Sequence, residues 1–397
     1  MRLHDYLDYW GRQRPVGAMP YRDAPVLHCR AWETPFAAQC AWWPVTCPNS
    51  RKENTMTTTI QPRWTTTMLI ISVALAAGAL VVPTVPAQAQ TTCNFLPVTI
   101  SGTAGNDTIT GTAAADVIAA AGGNDTVFGL GGNDTVCLGT GNDNLIGGTG
   151  DDTAVAEDGA DGADGADSFF GQAGMDSARY LSRTVALNVS LDGVANDGAP
   201  GEGDNNRLDV ENVLGGQAGN VLIGNASNNT LNGSRGEDIL IGIFGDDLLR
   251  GGNGNDDLRG GLGDDFILGG TGNDTATAAA AVDGADFFEG GSGLDTGSYS
   301  ARIDPLNVSL DGIANDGAPG EGDNIRLDVE NVIGGTDNDV IVARLFQENP
   351  NRLSGGGGND TLNSVDPFIS NDTLDGGLFG FDVCTSDPDD VEVNCEA

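Results

Sequence analysis

Six aspartates, Asp107, Asp116, Asp125, Asp134, Asp143 and Asp152, stand nine residues apart. The same beat returns at Asn220, Asn229, Asp238, Asp247, Asp256, Asp265 and Asp274. Two positions after each acidic residue comes an apolar one: Ile109, Ile118, Val127, Val136 and Leu145 in the first run, Leu240, Leu249, Leu258 and Ile267 in the second. The chemistry on offer is oxygen ligation. Glycines around each carboxylate permit tight turns whose main-chain carbonyls converge, and carboxylate and carbonyl oxygens are what a hard divalent cation such as Ca2+ prefers. A nine-residue period belongs to neither a helix nor a strand. The elements that position these residues must therefore be very short strands joined by turns.

Such a repeat, Gly-Gly-x-Gly-x-Asp-x-apolar-x, buries one side chain for every nine residues it orders. That burial does not offset the backbone entropy lost, glycine losing most of all, and the aspartates repel one another. The chain should not fold alone in water, whereas binding a divalent cation together with folding would supply the missing stability.

The positive charge is concentrated at the N-terminus. Residues 69–82, "LIISVALAAGALVV", follow Arg63 and precede "PTVPAQAQ". The pattern is that of a signal peptide cleaved after Ala87-Gln88-Ala89; the apolar run is too short to span a membrane. Residues 1–55 hold four of the five Trp, both His and three Cys, a composition that never recurs, so translation is expected to start at Met56. From Gln90 onward there remain 52 acidic residues (57 less five) and 10 basic ones (18 less eight), all Arg. A net charge near -42 repels nucleic acid and anionic membranes. Without His or Lys, this part holds no His-Glu-x-x-His zinc site, no Ser-His-Asp triad, no phosphate-binding loop and no Schiff base. Carboxylate pairs for glycoside hydrolysis stay open, although aromatics to line a cleft are few. Four Cys remain, an even number that suits disulfides in an exported protein. Cys93 with Cys137 and Cys384 with Cys395 is one of three possible pairings.

The repeats are interrupted by a duplication. "LNVSLDGVANDGAPGEGDNNRLDVENVLGG" (187–216) recurs 119 residues later as "LNVSLDGIANDGAPGEGDNIRLDVENVIGG" (306–335), with three differences in 30 positions. "LNVSL" alternates like a half-buried strand, the acidic stretch after it reads as a solvated loop, and "DVENV" restores the nine-residue phase. Counted from Asp192, the loop puts Val194 and Gly203 at positions 3 and 12, so it is no EF-hand. A further cation site on Asp197, Glu202 and Asp204 is the alternative. "DGADGADGAD" (158–167) is low complexity, expected as a bulge on a repeat edge. A third, irregular block contains "GGTDNDVIV", "GGGGNDTLN" and "NDTLDGG", with Asp339, Asp360 and Asp372 in the acidic position.

The segments "GGNGNDDLR" (251–259), "GGLGDDFIL" (260–268) and "GGTGNDTAT" (269–277) resemble the glycine-rich calcium-binding nonapeptides of the repeats-in-toxin, or haemolysin-type, family. The resemblance implies an all-β fold, a right-handed parallel β-roll in which two repeats make one turn and Ca2+ ions sit between the turns of neighbouring coils. Carried over, the ligands are Asp107, Asp116, Asp125, Asp134, Asp143, Asp152, Asp238, Asp247, Asp256, Asp265, Asp274, Asp339, Asp360 and Asp372. Asn220 and Asn229 depart from the pattern and should hold Ca2+ weakly or not at all; the turn before Asp116 lacks most of its glycines. The organisation expected is an N-terminal extension (1–55), signal peptide (56–89), repeat block 1 (90–155), insert module (156–214), block 2 (215–277), second module (278–333), and block 3 with a C-terminal cap (334–397). The function expected is that of a secreted Ca2+-binding protein with a structural or adhesive role at the cell exterior, its partner there undefined. The alternatives are a hydrolase with catalytic carboxylates in the 160–216 and 280–335 modules, or a repeat fragment of a larger toxin-like protein.

Overall fold

With one inward apolar residue per repeat, the chain builds strands as short as two residues and gains its sheets by stacking them. The computed structural model describes residues 90–156, 164–343, 349–365 and 371–396. The expected early start and signal peptide lie outside the described residues. The fold is a right-handed parallel β-solenoid. Each strand pairs not with its sequence neighbour but with the strand one full coil away: Leu231 lies opposite Leu249 and Leu249 opposite Ile267 on one face, while Leu222, Leu240 and Leu258 align on the other. Two repeats thus make one coil. The inward residues meet in a single core column in which Leu222, Leu231, Leu240, Leu249 and Leu258 are wholly buried.

One face is an 11-stranded parallel sheet running from Ile100–Ser101 to Asn324–Ile325. It is followed on that face by a 4-stranded sheet from Asn307–Ser309 to Val383–Thr385. The opposite face holds a 5-stranded sheet from Thr108–Thr110 to Asn205–Asn206, then a 10-stranded sheet from Asn188–Ser190 to Val391–Val393. The breaks fall at the duplicated segments. In the first, strand Asn188–Ser190 opens a new sheet against Val221–Ile223, and the chain then returns to close the old one at Ser168–Phe169. The second does the same on the other face. Leu187, Val189 and Leu191 all point into the core, as the alternation of "LNVSL" predicts. The stretch after it is a loop, tied by an antiparallel bridge between Asp197 and Asp204. It is solvated only in part: Asp192, Val194, Ala195 and Asn196 are exposed, whereas Asp197 and Asp204 are buried, and so is the Glu202 side chain.

Disulfides join Cys93 to Cys137 and Cys384 to Cys395, with Cα atoms 5.7 and 5.8 Å apart. The first ties a small antiparallel hairpin (92–97) to the opening coils. Among the described residues, no helix is long and apolar enough to cross a membrane.

Candidate functional site

The sixth-position aspartates line the turns in two columns. Within a column, each main-chain N–H donates to Oδ1 of the aspartate one coil later: Asp107 to Asp125 (2.7 Å), Asp116 to Asp134 (2.8 Å), Asp125 to Asp143 (2.7 Å), Asp134 to Asp152 (2.9 Å). The second block repeats this, Asp238 to Asp256 and Asp247 to Asp265 at 2.8 Å and Asp256 to Asp274 at 2.9 Å. Asp339 donates to Asp360, and Asp372 accepts from Asn351, each at 2.8 Å. A second ladder, not anticipated from the sequence, uses the fifth position with opposite polarity. Asn142 N–H donates to Asn124 Oδ1 one coil earlier (3.1 Å), and likewise Asp264 to Asp246 (3.1 Å) and Asn273 to Asn255 (2.8 Å). Its signal was present as the recurrent Asn or Asp just before the sixth-position residue.

The other carboxylate oxygen, Oδ2, divides the turns into two kinds. In closed turns it accepts the N–H of the second-position residue: Thr103 to Asp107 (2.6 Å), Thr112 to Asp116 (2.7 Å), Gly335 to Asp339 (2.7 Å). Asp116 also accepts from the Thr99 hydroxyl (3.5 Å), and Asp339 from Leu306 N–H (2.9 Å). In open turns the second and fourth residues are both left-handed, as at Gly252 (φ 110°) and Gly254 (φ 141°) before Asp256. The N–H that closes the other turns is then turned away. Asp125, Asp134, Asp143, Asp152, Asp238, Asp247, Asp256, Asp265, Asp274 and Asp360 are all of this kind, and each keeps Oδ2 buried with no hydrogen-bond donor. Asp176 and Asp295 share both features. They sit in "GQAGMDSAR" and "GGSGLDTGS", good copies of the repeat that a count in nines passes over, because they lie 24 and 21 residues after Asp152 and Asp274 instead of 18.

Glycine fills the first position of most open turns, Ala120 before Asp125 and Leu138 before Asp143 excepted, and in the second block the reason is steric. A Cβ on Gly251 would meet both Asp256 Oδ2 and the carbonyl oxygen of Gly269 in the next coil, and Gly242 stands in the same relation to Asp247 and Gly260. The open turns of Asp247 and Asp256 therefore bring a carboxylate oxygen and a stacked carbonyl oxygen together. Burial pushes these carboxyls above the usual range, with the ladder N–H pulling weakly the other way. Asp134, Asp143, Asp238 and Asp265 rise to about 6, and Asp247 and Asp256 to about 7, where neighbouring carboxylates add to the effect. The donors fit a hard cation: all are oxygens, and an acceptor is left unpaired in each turn. Among the described residues no three acidic, His or Cys side chains cluster as a metal site. Any cation here must complete its shell from main-chain carbonyls.

The duplicated modules solve the same charge problem differently. The Arg183 guanidinium is fully buried and bridges Asp164 and Glu202 (2.9 Å to the latter), and Arg302 bridges Asp283 and Glu321. Asp197 accepts N–H bonds from Ser190 (2.6 Å) and Asn206 (2.8 Å), one on each oxygen.

The model of the RTX calcium-binding nonapeptide repeat matches residues 101–136, 139–166, 214–242, 241–276 and 349–364. The chain thus carries the repeats that "GGNGNDDLR" and "GGLGDDFIL" suggested. The matched segments contain every open-turn aspartate named from the sequence; Asp339 and Asp372 fall outside them. No curated protein matches the chain.

Proposed function

We propose that this chain, an array of RTX-type calcium-binding repeats, is a secreted protein whose roll assembles on binding Ca2+ and which serves a structural or adhesive role at the cell exterior. The observation that carries this reading is the row of buried, donor-less Oδ2 atoms in the open turns. A buried carboxylate without partners is costly, and a dozen stacked at coil spacing cannot be tolerated without positive charge. Bound Ca2+ would supply that charge and knit adjacent turns through carboxylate and carbonyl oxygens. The residues we assign to it are Asp125, Asp134, Asp143, Asp152, Asp238, Asp247, Asp256, Asp265, Asp274 and Asp360, with Asp176 and Asp295 added. Asp372 continues a column and stays in the set. Asp107, Asp116 and Asp339 are already served by N–H groups and hold their turns without an ion. Two disulfides support a location outside the reducing cytosol. The hydrolase alternative is weakened at the acidic loops, where Glu202 and Glu321 are held by Arg183 and Arg302 and Asp197 and Asp316 accept main-chain N–H groups.

The test is circular dichroism of the chelated chain as Ca2+ is returned. β-signal should rise across roughly 10⁻⁴–10⁻³ M, the range of extracellular modules. No gain by several times that concentration, or an equal response to Mg2+, refutes the proposal.

A further inference from the structure

The two modules differ from the blocks they interrupt in one respect: their stacked turns already contain positive charge. Asp164 lies in the turn that ends at Asp167, and Glu202 in the next turn of the stack, where Asp204 Oδ1 accepts Asp167 N–H (3.0 Å). Arg183 reaches both, so its guanidinium spans two successive turns, with all three side chains at most 1% exposed. In the second copy Arg302 spans Asp283 and Glu321 in the same way, and Asp286 N–H donates to Asp323 Oδ1 (3.0 Å). A buried tyrosine closes each junction: Tyr180 against Asp204 and Asn206, Tyr299 against Asp323 (2.9 Å).

A second observation is independent of the arginines. In the coil just after the first module both sixth-position carboxylates are replaced by carboxamides that donate where an open turn has nothing, and after the second Asn351 does so beside the closed turn of Asp339. Asn220 Nδ2 donates to Gly233 O (3.0 Å) and Asp238 Oδ1 (2.9 Å). Asn229 Nδ2 donates to Glu211 O (3.1 Å), and Asn351 Nδ2 to Glu330 O (2.9 Å).

We propose that the arginine-bridged edge of each module, with the coils that follow it, is a Ca2+-independent seed, folded before the ion binds, from which the Ca2+-dependent blocks extend; the open turns at Asp176 and Asp295 stack in the other column, with Glu211 and Glu330, and fill with the blocks. This deepens the function proposed above and rests on it for the behaviour of the blocks. In a stack where each coil contacts only its neighbours, the first coil is the hardest to form. A coil held by Arg183 or Arg302 presents a finished edge to the next, so the adjoining block binds Ca2+ without meeting the nucleation barrier alone.

Hydrogen exchange read by mass spectrometry on the full chain separates the parts. In chelator, amides in 188–214 and 307–333 should exchange at least about 100-fold more slowly than those in 127–146 and 249–267. At about 5 mM Ca2+, above the range of extracellular modules, both groups should be protected. Modules that exchange as fast as the blocks in chelator, while the blocks still respond to Ca2+, overturn the inference alone. Blocks that gain nothing from Ca2+ refute the functional reading, while slow exchange in the modules would still stand as a Ca2+-independent fold. Blocks as protected as the modules in chelator overturn both. Arg183→Met should abolish chelator-resistant protection in the first module only, and Arg302→Met in the second only, so each copy is the other's folding control. Arg183→Lys should restore part of it by keeping the charge. Loss of protection in both modules from either single change, or full protection in both variants, rules out the arginine as the seed's cation.

Discussion

Asp256→Asn should stabilise the roll without Ca2+ and destabilise it with Ca2+. The asparagine keeps an oxygen to accept the 2.8 Å bond from Asp238 N–H, so the ladder survives. What changes is charge. Asp256 is 2% exposed, and burial first, then Asp274 and Asp238, raises its pKa from 3.8 to about 7. Above that pH the ionised form in the empty roll is disfavoured by about 4 kcal/mol at most, at about 1.4 kcal/mol per tenfold, and roughly 2 kcal/mol after relaxation and water entry. Asparagine removes that penalty and brings a donor, as Asn220 does beside Gly233. With Ca2+ at about a hundred times Kd, losing one site removes about 2.7 kcal/mol, which outweighs that gain. Unfolding monitored by circular dichroism at about pH 8 should therefore show a gain of roughly 2 kcal/mol in chelator and, at that Ca2+ concentration, a net loss of just under about 1 kcal/mol, relative to the parent chain. Asp116→Asn is the control. Both of its oxygens are in use, so it should lose about 1 kcal/mol in both conditions. If Asp256→Asn destabilises equally with and without Ca2+, or if the two variants behave alike, the distinction between open and closed turns is wrong.

Three further outcomes follow from the same geometry. Asp134, Asp143, Asp238, Asp247, Asp256 and Asp265 have pKa values of about 6 to 7 in the ion-free roll against 3.8 when exposed, so their penalty is absent below about pH 4, grows as pH rises from there toward 6 to 7, and is complete above that; circular dichroism in chelator should show more β-structure at about pH 5.5 than at about pH 8, and the reverse order refutes it. Gly272→Ala would drive a methyl into the Gly254 carbonyl oxygen at φ 131°, whereas Gly201→Ala at φ 91° meets nothing within 4 Å; the first should lose about 3 kcal/mol in thermal unfolding and the second about 1–2. Replacing Cys93 and Cys137 by serine opens a loop of 44 residues, worth about 4 kcal/mol on chain-entropy grounds, and should raise the Ca2+ concentration needed to order block 1 while leaving that of block 2 unchanged in hydrogen exchange.

The coil itself was legible because two signals coincide in most repeats of the first two blocks: one carboxylate per nine residues, and one apolar residue two positions on. The division into open and closed turns was not, because second-position residue type does not decide it. Leu130 and Ile243 are left-handed despite their side chains, at φ 76° and 91°, while Gly216 and Gly335 are not left-handed although glycine would allow it. Stacking on the neighbouring coil decides: Gly335 lies against the Arg302 carbonyl, and Ile243 continues a column of open turns. The modules were misread for a related reason. Their acidic loop looks solvated in one dimension, and nothing near it in sequence neutralises it. The cation is an arginine 19 residues from each carboxylate it binds, on the far side of a strand. Neither a period nor a motif carries that information.

The same placement explains why two long interruptions do not break the solenoid. Between the copies lies an odd number of half-coils, so the first module splits one face and the second splits the other. The 11-stranded sheet runs unbroken past the first, joining Ser177–Arg179 to Asn212–Leu214, and the 10-stranded sheet runs unbroken past the second, joining Thr296–Ser298 to Asn331–Ile333. The two sheets overlap across block 2 like a lap joint. On the proposal that the modules fold without Ca2+, every block has a metal-independent fastening at each end. Block 1 lies between the Cys93–Cys137 bridge and the Arg183 module, block 2 between the two modules, and block 3 between the Arg302 module and the Cys384–Cys395 bridge. Ca2+ then has only to close short runs of coils whose ends are already held, and loss of ions from one block need not unwind the next.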